Sequence, residues 1–218
     1  GLSEIICSVG LPDFQFWRRV FLQIKRAAMK PKRQKSIPQE DLFRMRLENL
    51  IKDTQDEMYK KIKEGRDMED AEAKKVADVV AISALKYGDL SNQASKDYVF
   101  DVDRFTSFEG NTGPYILYTI VRIKSILNKY TENGGSTDNL KIMAATEESE
   151  KNLSLSLIKF ADIIDGAYKD NAPHKICQFI YEVSNAFNGF YHNNKILSEP
   201  DEAKKASYIA LISLTKSI

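Results

Sequence analysis

Apolar residues recur at steps of three and four along most of the chain, from residue 41 to the C-terminus. This spacing places them on one face of an α-helix. Six such stretches follow one another, and the pattern predicts a bundle of five or six helices. They are marked by Leu47, Leu50, Ile51, Met58 and Ile62, ending at Gly65; by Val76, Ala77, Val80, Ala81, Ala84 and Leu85; by a run from Pro114 to about residue 130; by Leu153, Leu157, Ile158, Ala161 and Ile164; by residues 176–191; and by residues 203–217.

Two segments between these stretches lack the helical period. Residues 91–110 are irregular, and an extended piece is predicted around Tyr98, Val99 and Phe100. Residues 133–136 (NGGS) are predicted to form a flexible loop. The last helix is predicted to open at Ser198, whose hydroxyl is suited to cap a helix N-terminus.

Residues 1–40 differ from the rest of the chain. A short apolar run at 5–9 ends at Gly10, as in a buried strand, and the apolar residues of 13–29 then follow a helical period. Residues 30–39 (KPKRQKSIPQ) are basic and broken by two prolines, as in a linker. A strand, a turn and a helix are a unit of parallel sheets, which need more strands than these. We therefore predict a remnant of an α/β domain with its linker over 1–40, and a helical domain over 41–218.

Composition favours a globular protein of a reducing compartment. The chain has 43% hydrophobic and 29% charged residues, and its two cysteines, Cys7 and Cys177, lie far apart without metal-ligand spacing. No apolar run approaches the length that crosses a bilayer, and the first residues do not resemble a signal peptide. These features predict a cytoplasmic protein with no membrane partner. Ten of the basic residues fall within 1–46, against four acidic ones, although the net charge is only +1.

The usual signatures of enzymes are nearly absent. The two histidines, His174 and His192, do not form a metal-binding pair, and no glycine-rich phosphate loop or nucleophile elbow occurs. No catalytic residue and no metal ligand are predicted. The residues alone therefore indicate a binding module.

Two motifs are much more specific. Residues 84–90 (ALKYGDL) and 107–115 (SFEGNTGPY), with Tyr118, Arg122 and Ser125 on the helix that follows, closely resemble arginyl-tRNA synthetases in both residues and spacing. Residues 183–191 (VSNAFNGFY) resemble the anticodon-binding bundle of that family, and 203–217 its penultimate helix. Residues 4–10 with Phe16, Val20 and Phe21 resemble the end of its catalytic core, which implies that 1–40 is a remnant of a Rossmann-like domain with its linker.

The resemblance implies a class I synthetase whose anticodon-binding region makes up most of this chain. The family's ATP signature, H-x-G-H, is absent, and 30–36 lacks the order of a KMSKS loop. The chain has no initiator methionine and stops before the family's terminal leucine-rich segment. We therefore expect a piece of a larger ligase that does not activate arginine by itself. The implied cofactors, ATP and magnesium, belong to the intact enzyme. The implied partners are arginine tRNA and the remaining catalytic domain, with no DNA.

The resemblance also indicates which residues meet RNA. Phe187 and Tyr191 are four residues apart on one helical face, with Asn188 and His192 beside them, where the family contacts the anticodon loop. Unpaired bases stack on aromatic side chains, and polar side chains bind their edges. The alternative for Phe187 is a place in the core, and the hydroxyl of Tyr191 favours a wet edge.

Four further candidates lie in the loop before Pro114 and along the helix that begins there. Asn111 and Tyr115 border a glycine-containing loop whose backbone N–H groups can meet a phosphate or an RNA edge. Arg122 and Lys124 are candidates for phosphate contacts. The alternatives are ordinary helix capping for Asn111, packing between domains for Tyr115, and a solvated surface for the two cations.

The sequence is also compatible with two other functions. One is a non-catalytic helical module, derived from such a synthetase, that binds RNA or a protein. The other is a class I synthetase specific for a different amino acid, against which the motif at 108–114 argues.

Overall fold

The computed structural model describes residues 47–65, 67–96, 98–99 and 101–218, and it divides the chain into two compact units between Pro114 and Tyr115. The described residues are mainly helical and contain no strand, which confirms the mainly-α prediction. The strand, helix and linker predicted over 1–40 lie outside the described residues. The described helices are α1 (Leu47–Gly65), α2 (Asp70–Leu90), α3 (Val102–Phe105), α4 (Gly113–Glu132), α5 (Glu148–Leu157), α6 (Phe160–Lys169), α7 (Pro173–Asn193) and α8 (Glu202–Ser217).

In the first unit, α1 packs along α2. Met58 and Ile62 are buried on α1, and the face of α2 that meets them consists largely of alanine and valine. Small side chains let the two helix backbones approach closely. Lys63 ties the connection between the helices, since its Nζ lies 2.9 Å from Asp70 Oδ1 and donates to the Met68 carbonyl.

The short helix α3 corrects the prediction of an irregular segment over 91–110. Asp101 caps it by accepting a hydrogen bond from the Arg104 N–H, and Phe105 is buried. Four residues are too few to show a helical period, which is why the sequence pattern does not reveal this turn. Lys61 Nζ donates to Thr106 Oγ1 (2.8 Å) and so links α1 to the end of α3.

Phe105 packs directly on Gly88, and this contact explains the glycine inside α2. A Cβ at Gly88 would overlap the Phe105 ring, with Cε1 at 2.6 Å. We expect Gly88→Ala to lower the free energy of unfolding by about 1–3 kcal/mol, because the ring must move out of a packed site. The measurement is urea unfolding followed by circular dichroism. Gly65→Ala is the control, since its Cβ would meet nothing within 4 Å; equal stability of the two variants would contradict this packing.

The core of the second unit is formed by α4, α5, α7 and α8. Tyr208 is at its centre, with its ring edge-on to Phe190 at a centroid distance of 5.0 Å and its hydroxyl donating to Asn194 Oδ1. Cys177 is buried in this unit, and burial raises the pKa of its thiol to about 12. Cys7 lies outside the described residues. The buried residues of this core are Ile123, Ile126, Leu127, Leu153, Leu157, Phe179, Val183, Phe187, Phe190, Ile196, Tyr208, Ile209, Leu211 and Ile212.

The single helix predicted around residues 153–164 is wrong, because the structure has two helices there. The α-helical hydrogen bonding is interrupted at residues 158–159, between α5 and α6. Ser154 and Ser156 donate their hydroxyls to the carbonyls of Glu150 and Leu153, a side-chain pattern that bends and weakens helices. As a result the apolar face does not continue in phase, and Ile158 is exposed while Leu153 and Leu157 are buried. Ala161 and Ile164 are exposed as well.

The capping residue of the last helix also differs from the prediction. Asp201, not Ser198, caps α8, and its Oδ1 accepts from the N–H groups of Ala203 and Lys204 at 2.9 and 3.2 Å. Ser198 ends a 3-10 turn (Ile196–Ser198) that precedes the helix. Aspartate at this position also suits the positive end of the helix dipole.

The domain boundary predicted at residue 40 lies outside the described residues and stays a prediction. Within the described part, the division between Pro114 and Tyr115 was not expected. Helical periodicity is present on both sides of it, so the hydrophobic pattern gives no sign of a boundary there. None of the described helices is both long enough and apolar enough to cross a membrane.

Candidate nucleic-acid interface

In the second unit, α4 and α7 together form one polar and aromatic surface. Tyr115, Tyr118 and Arg122 lie at steps of three and four on α4, so they share a helical face. Asn188 and Tyr191 lie three apart on α7. We call these five residues the Arg122 cluster.

The guanidinium of Arg122 is held between two tyrosine rings. Its Cζ lies 4.7 Å from the ring centroid of Tyr118 and 4.7 Å from that of Tyr191. One terminal nitrogen, Nη1, donates to Asn188 Oδ1 (2.6 Å), and Nη2 donates to the Tyr118 hydroxyl (2.9 Å). The planar cation is thus fixed by two hydrogen bonds and two cation–π contacts, which are favourable for arginine.

Asn188 connects the two helices through both ends of its amide. While its Oδ1 accepts from Arg122, its Nδ2 donates to the Tyr115 hydroxyl (2.8 Å) and, more weakly, to Thr119 Oγ1 (3.4 Å). The Tyr115 hydroxyl in turn donates to Asn185 Oδ1 (2.6 Å). Such a connected network restricts the rotamers of its members and presents them in one arrangement.

Two of the three aromatic members of the cluster are open to solvent, and Tyr115 is half-buried. Tyr118 is 44% exposed and Tyr191 is 38% exposed. His192 and Asn185 are exposed beside them, and the His192 ring meets the edge of Tyr191 at 5.6 Å. Exposed aromatic rings held beside a cation and amides are the groups that bind unpaired bases and the phosphates between them.

Phe187 does not fit the direct RNA contact predicted for it. Its side chain is 0% exposed and belongs to the core, so a base cannot stack on it in this arrangement. It lies under Tyr191 instead, with ring centroids 6.3 Å apart and planes inclined by 26°. Phe187 therefore supports the ring of Tyr191 from the core side.

The structure places the other predicted residues as follows. Tyr115, Arg122, Asn188 and Tyr191 come together in the cluster, and His192 borders it. Lys124 lies on α4 two residues after Arg122, and burial, and then the charge of Lys216, lower its pKa.

Asn111 lies in the first unit. It is exposed, and its Oδ1 accepts a hydrogen bond from the Tyr87 hydroxyl (2.6 Å). The neighbouring Gly110 has a φ of +80°, a conformation that favours glycine.

Tyr118 and Asn185 also lie at this surface, although neither was predicted from the sequence as a binding residue. The local signal for Tyr118 was available, because a tyrosine four residues before an arginine on a helix places the two side chains together. For Asn185 no such signal exists, because its link to Tyr115 joins residues 70 apart in the chain.

Comparison with known proteins agrees with this division of the chain. Residues 116–218 match the family described as the DALR anticodon binding domain, and residues 29–102 match the catalytic domain of class I (R) tRNA synthetases. The two matches fall on either side of the division between the units. The fold and these matches define part of a class I aminoacyl-tRNA synthetase that carries a helical anticodon-binding domain.

Curated relatives and a solved structure narrow this class further. The chain is 62% identical over 182 residues to the arginine–tRNA ligase of Agathobacter rectalis and 47% identical over 174 residues to that of Alkaliphilus oremlandii, in each case over 80% of this chain and 30% of the relative. The crystal structure of the Plasmodium falciparum arginyl-tRNA synthetase superposes with a TM-score of 0.65 at 32% identity, covering 79% of this chain and 31% of that one. The chain belongs to the arginyl-tRNA synthetase family. It spans about 30% of the length of the curated relatives that it matches.

Proposed function

We propose that residues 115–218 bind the anticodon arm of arginine tRNA through the Arg122 cluster. The observation that carries this proposal is the guanidinium held between two exposed tyrosine rings. Single-stranded loops are bound by stacking of their bases on aromatic side chains, which contributes about 1–3 kcal/mol per base. A cation beside the rings adds attraction for the phosphates between those bases.

Each residue of the surface has a role in this proposal. Tyr118 and Tyr191 stack with bases, and Arg122 both orients the two rings and attracts phosphate. Asn188 keeps the guanidinium in place. His192, exposed at the border, can bind the edge of a base or a phosphate.

The activity of the whole protein is a proposal of the same kind. The relatives are named arginine–tRNA ligases, and we infer that this chain acts as part of such a ligase together with the remaining length that the relatives have. Attachment of arginine to tRNA by such an enzyme uses ATP and magnesium. The described residues contain no group of three or more histidine, cysteine, aspartate or glutamate side chains suited to a metal ion. Because tRNA is charged where proteins are made, we infer a cytoplasmic location.

The test is binding of the 218-residue chain to arginine tRNA and to a non-cognate tRNA across a salt series. We expect arginine tRNA to bind at least tenfold more tightly, which corresponds to about 1.4 kcal/mol. Tyr191→Ala should remove most of that preference, because it removes one of the two stacking rings. Both affinities should fall as salt rises, because phosphate contacts release counterions.

Ile158→Ala is the matched control, since Ile158 is exposed and takes no part in the Arg122 cluster. Its affinity for both tRNAs should equal that of the unaltered chain. If the two tRNAs bind alike and only the salt dependence remains, the chain contacts phosphates alone and does not recognise the anticodon.

A further inference from the structure

Gly189 lies inside α7 with no packing reason to be glycine. A Cβ added there would meet nothing within 4 Å, in contrast to Gly88, where the Phe105 ring occupies that space. Its φ is not positive, so the backbone does not require glycine either. Glycine makes a helix interior less stable than alanine does. The fold therefore loses stability at this position without a structural gain.

An open groove of about 590 Å³ lies directly over Gly189. Its walls are the exposed face of α7 and the first turn of α5, and its lining includes Glu148, Asn152, Asn185 and Asn193. Glycines occur where a ligand approaches the backbone closely. The groove is large enough for a planar ring system. Because Gly189 has no side chain, a ring can approach the backbone of α7 at this residue.

The amides at the two ends of the groove are already oriented by the protein. Asn185 Oδ1 accepts from the Tyr115 hydroxyl, so the NH₂ group of Asn185 is left to donate. Asn193 Nδ2 donates to the Gly189 carbonyl (2.8 Å), so its Oδ1 is left to accept. Asn185 lies four positions before Gly189 and Asn193 four positions after it, on one face of α7, and the two are about 12 Å apart along the helix axis. A flat ring over Gly189 thus finds a donor towards one end and an acceptor towards the other.

The charge of the groove favours a neutral base over a phosphate. Among its lining residues are Glu147 and Glu148, and none is a lysine or arginine; the nearest cation to Glu147 is Lys204, whose Nζ lies 3.5 Å from Glu147 Oε1. Glu148 is loosely paired, 4.0 Å from Lys151, and its side chain is 76% exposed. Carboxylates repel phosphate but accept hydrogen bonds from the amino groups of bases.

We propose that this groove is a subsite for one unpaired nucleobase with an exocyclic amino group, which lies over Gly189 between Asn185 and Asn193. The inference rests on the proposed function and deepens it, because it adds a second base position next to the Arg122 cluster. Asn185 belongs to the groove and is also bonded to Tyr115 of the cluster, so the two positions adjoin. An extended loop can cross α7 from one to the other.

Filling the space over Gly189 tests the subsite. Gly189→Ala should raise the Tm by roughly 2–4 °C and at the same time weaken binding of an arginine tRNA anticodon stem-loop. Gly189→Leu, which fills more of the groove, should weaken it by about tenfold or more, as expected when one stacked base is lost. Gly166→Ala in α6 is the control, because its Cβ would also meet nothing within 4 Å and it does not line the groove. It should raise the Tm without changing affinity.

Abasic substitutions along the loop then identify the base. At one position of the loop, removal of the base should lower the affinity of the unaltered chain for the stem-loop about tenfold. The same removal should cause little further loss of affinity in Gly189→Leu, because the two changes remove the same contact. Full affinity of Gly189→Leu, with binding still lost in Tyr191→Ala, would overturn the subsite and leave the proposed function standing. No binding by the unaltered chain would overturn both.

Discussion

Replacement of Arg122 by lysine is expected to weaken binding of arginine tRNA by roughly 10- to 100-fold, although the charge is kept. Lysine cannot reproduce the planar guanidinium that lies 4.7 Å from both tyrosine rings and donates to Asn188 and Tyr118 through different nitrogens. Without it, Tyr118 and Tyr191 lose the group that fixes their separation, and Asn188 loses a charged donor. The bases then meet an aromatic surface that is no longer held in one arrangement.

Salt dependence separates this effect from a simple loss of charge. Arg122→Lys should leave the slope of log affinity against log salt unchanged. Arg122→Met should reduce the magnitude of that slope by about 1, the contribution of one phosphate contact. The control is Lys129→Met, which removes an exposed cation from the same helix outside the cluster. It should change the affinity by less than about threefold. If Arg122→Lys binds as the unaltered chain does, the residue acts only through its charge and the cluster geometry is irrelevant.

The fold of the described residues follows largely from hydrophobic spacing, and the departures have physical causes. The stripes that predict α2, α4 and α7 are long and regular, and burial in the structure follows them closely. On α1 only the second half of the predicted stripe is buried, at Met58 and Ile62, whereas Leu47 is exposed. The break between α5 and α6 was missed because serine hydroxyls that bond to helix carbonyls leave no mark on the apolar period. The helix α3 was missed because its stability comes from the cap at Asp101 and from packing of Phe105, not from periodicity.

The candidate site was predictable only in its individual members. Residue type and the family motifs point to Tyr115, Arg122, Asn188 and Tyr191. Their assembly depends on hydrogen bonds between α4 and α7 over separations of 66 and 73 residues. Local spacing carries no information about which side of α7 faces α4. For the same reason the sequence left a place in the core open for Phe187, since a spacing of four residues cannot tell the exposed end of a face from the buried one.

Replacement of Phe187 by alanine is expected to lower the free energy of unfolding by about 3–5 kcal/mol, the range for truncation of a buried phenylalanine. Phe187 is 0% exposed in the core of the second unit, so the change leaves a cavity between the helices. Tyr191→Ala, at a position that is 38% exposed, should cost about 1 kcal/mol or less. Urea unfolding followed by circular dichroism measures both. A small loss for Phe187→Ala would show that this ring is not part of the core.

The variant Phe187→Leu decides whether the buried ring also contributes to RNA binding. Leucine keeps most of the apolar volume, so the protein stays folded and its affinity for arginine tRNA can be measured. Because Phe187 supports Tyr191 from below and touches no solvent, we expect Phe187→Leu to lose less than about threefold in affinity, while Tyr191→Ala loses tenfold or more. If Phe187→Leu loses as much as Tyr191→Ala, either the ring reaches RNA through a rearranged helix or the stacking of Tyr191 on it is itself required. The double variant Phe187→Leu/Tyr191→Ala separates these two explanations: a loss no larger than that of Tyr191→Ala alone identifies the stacked pair as the binding unit, whereas a further loss shows that Phe187 contacts RNA by itself.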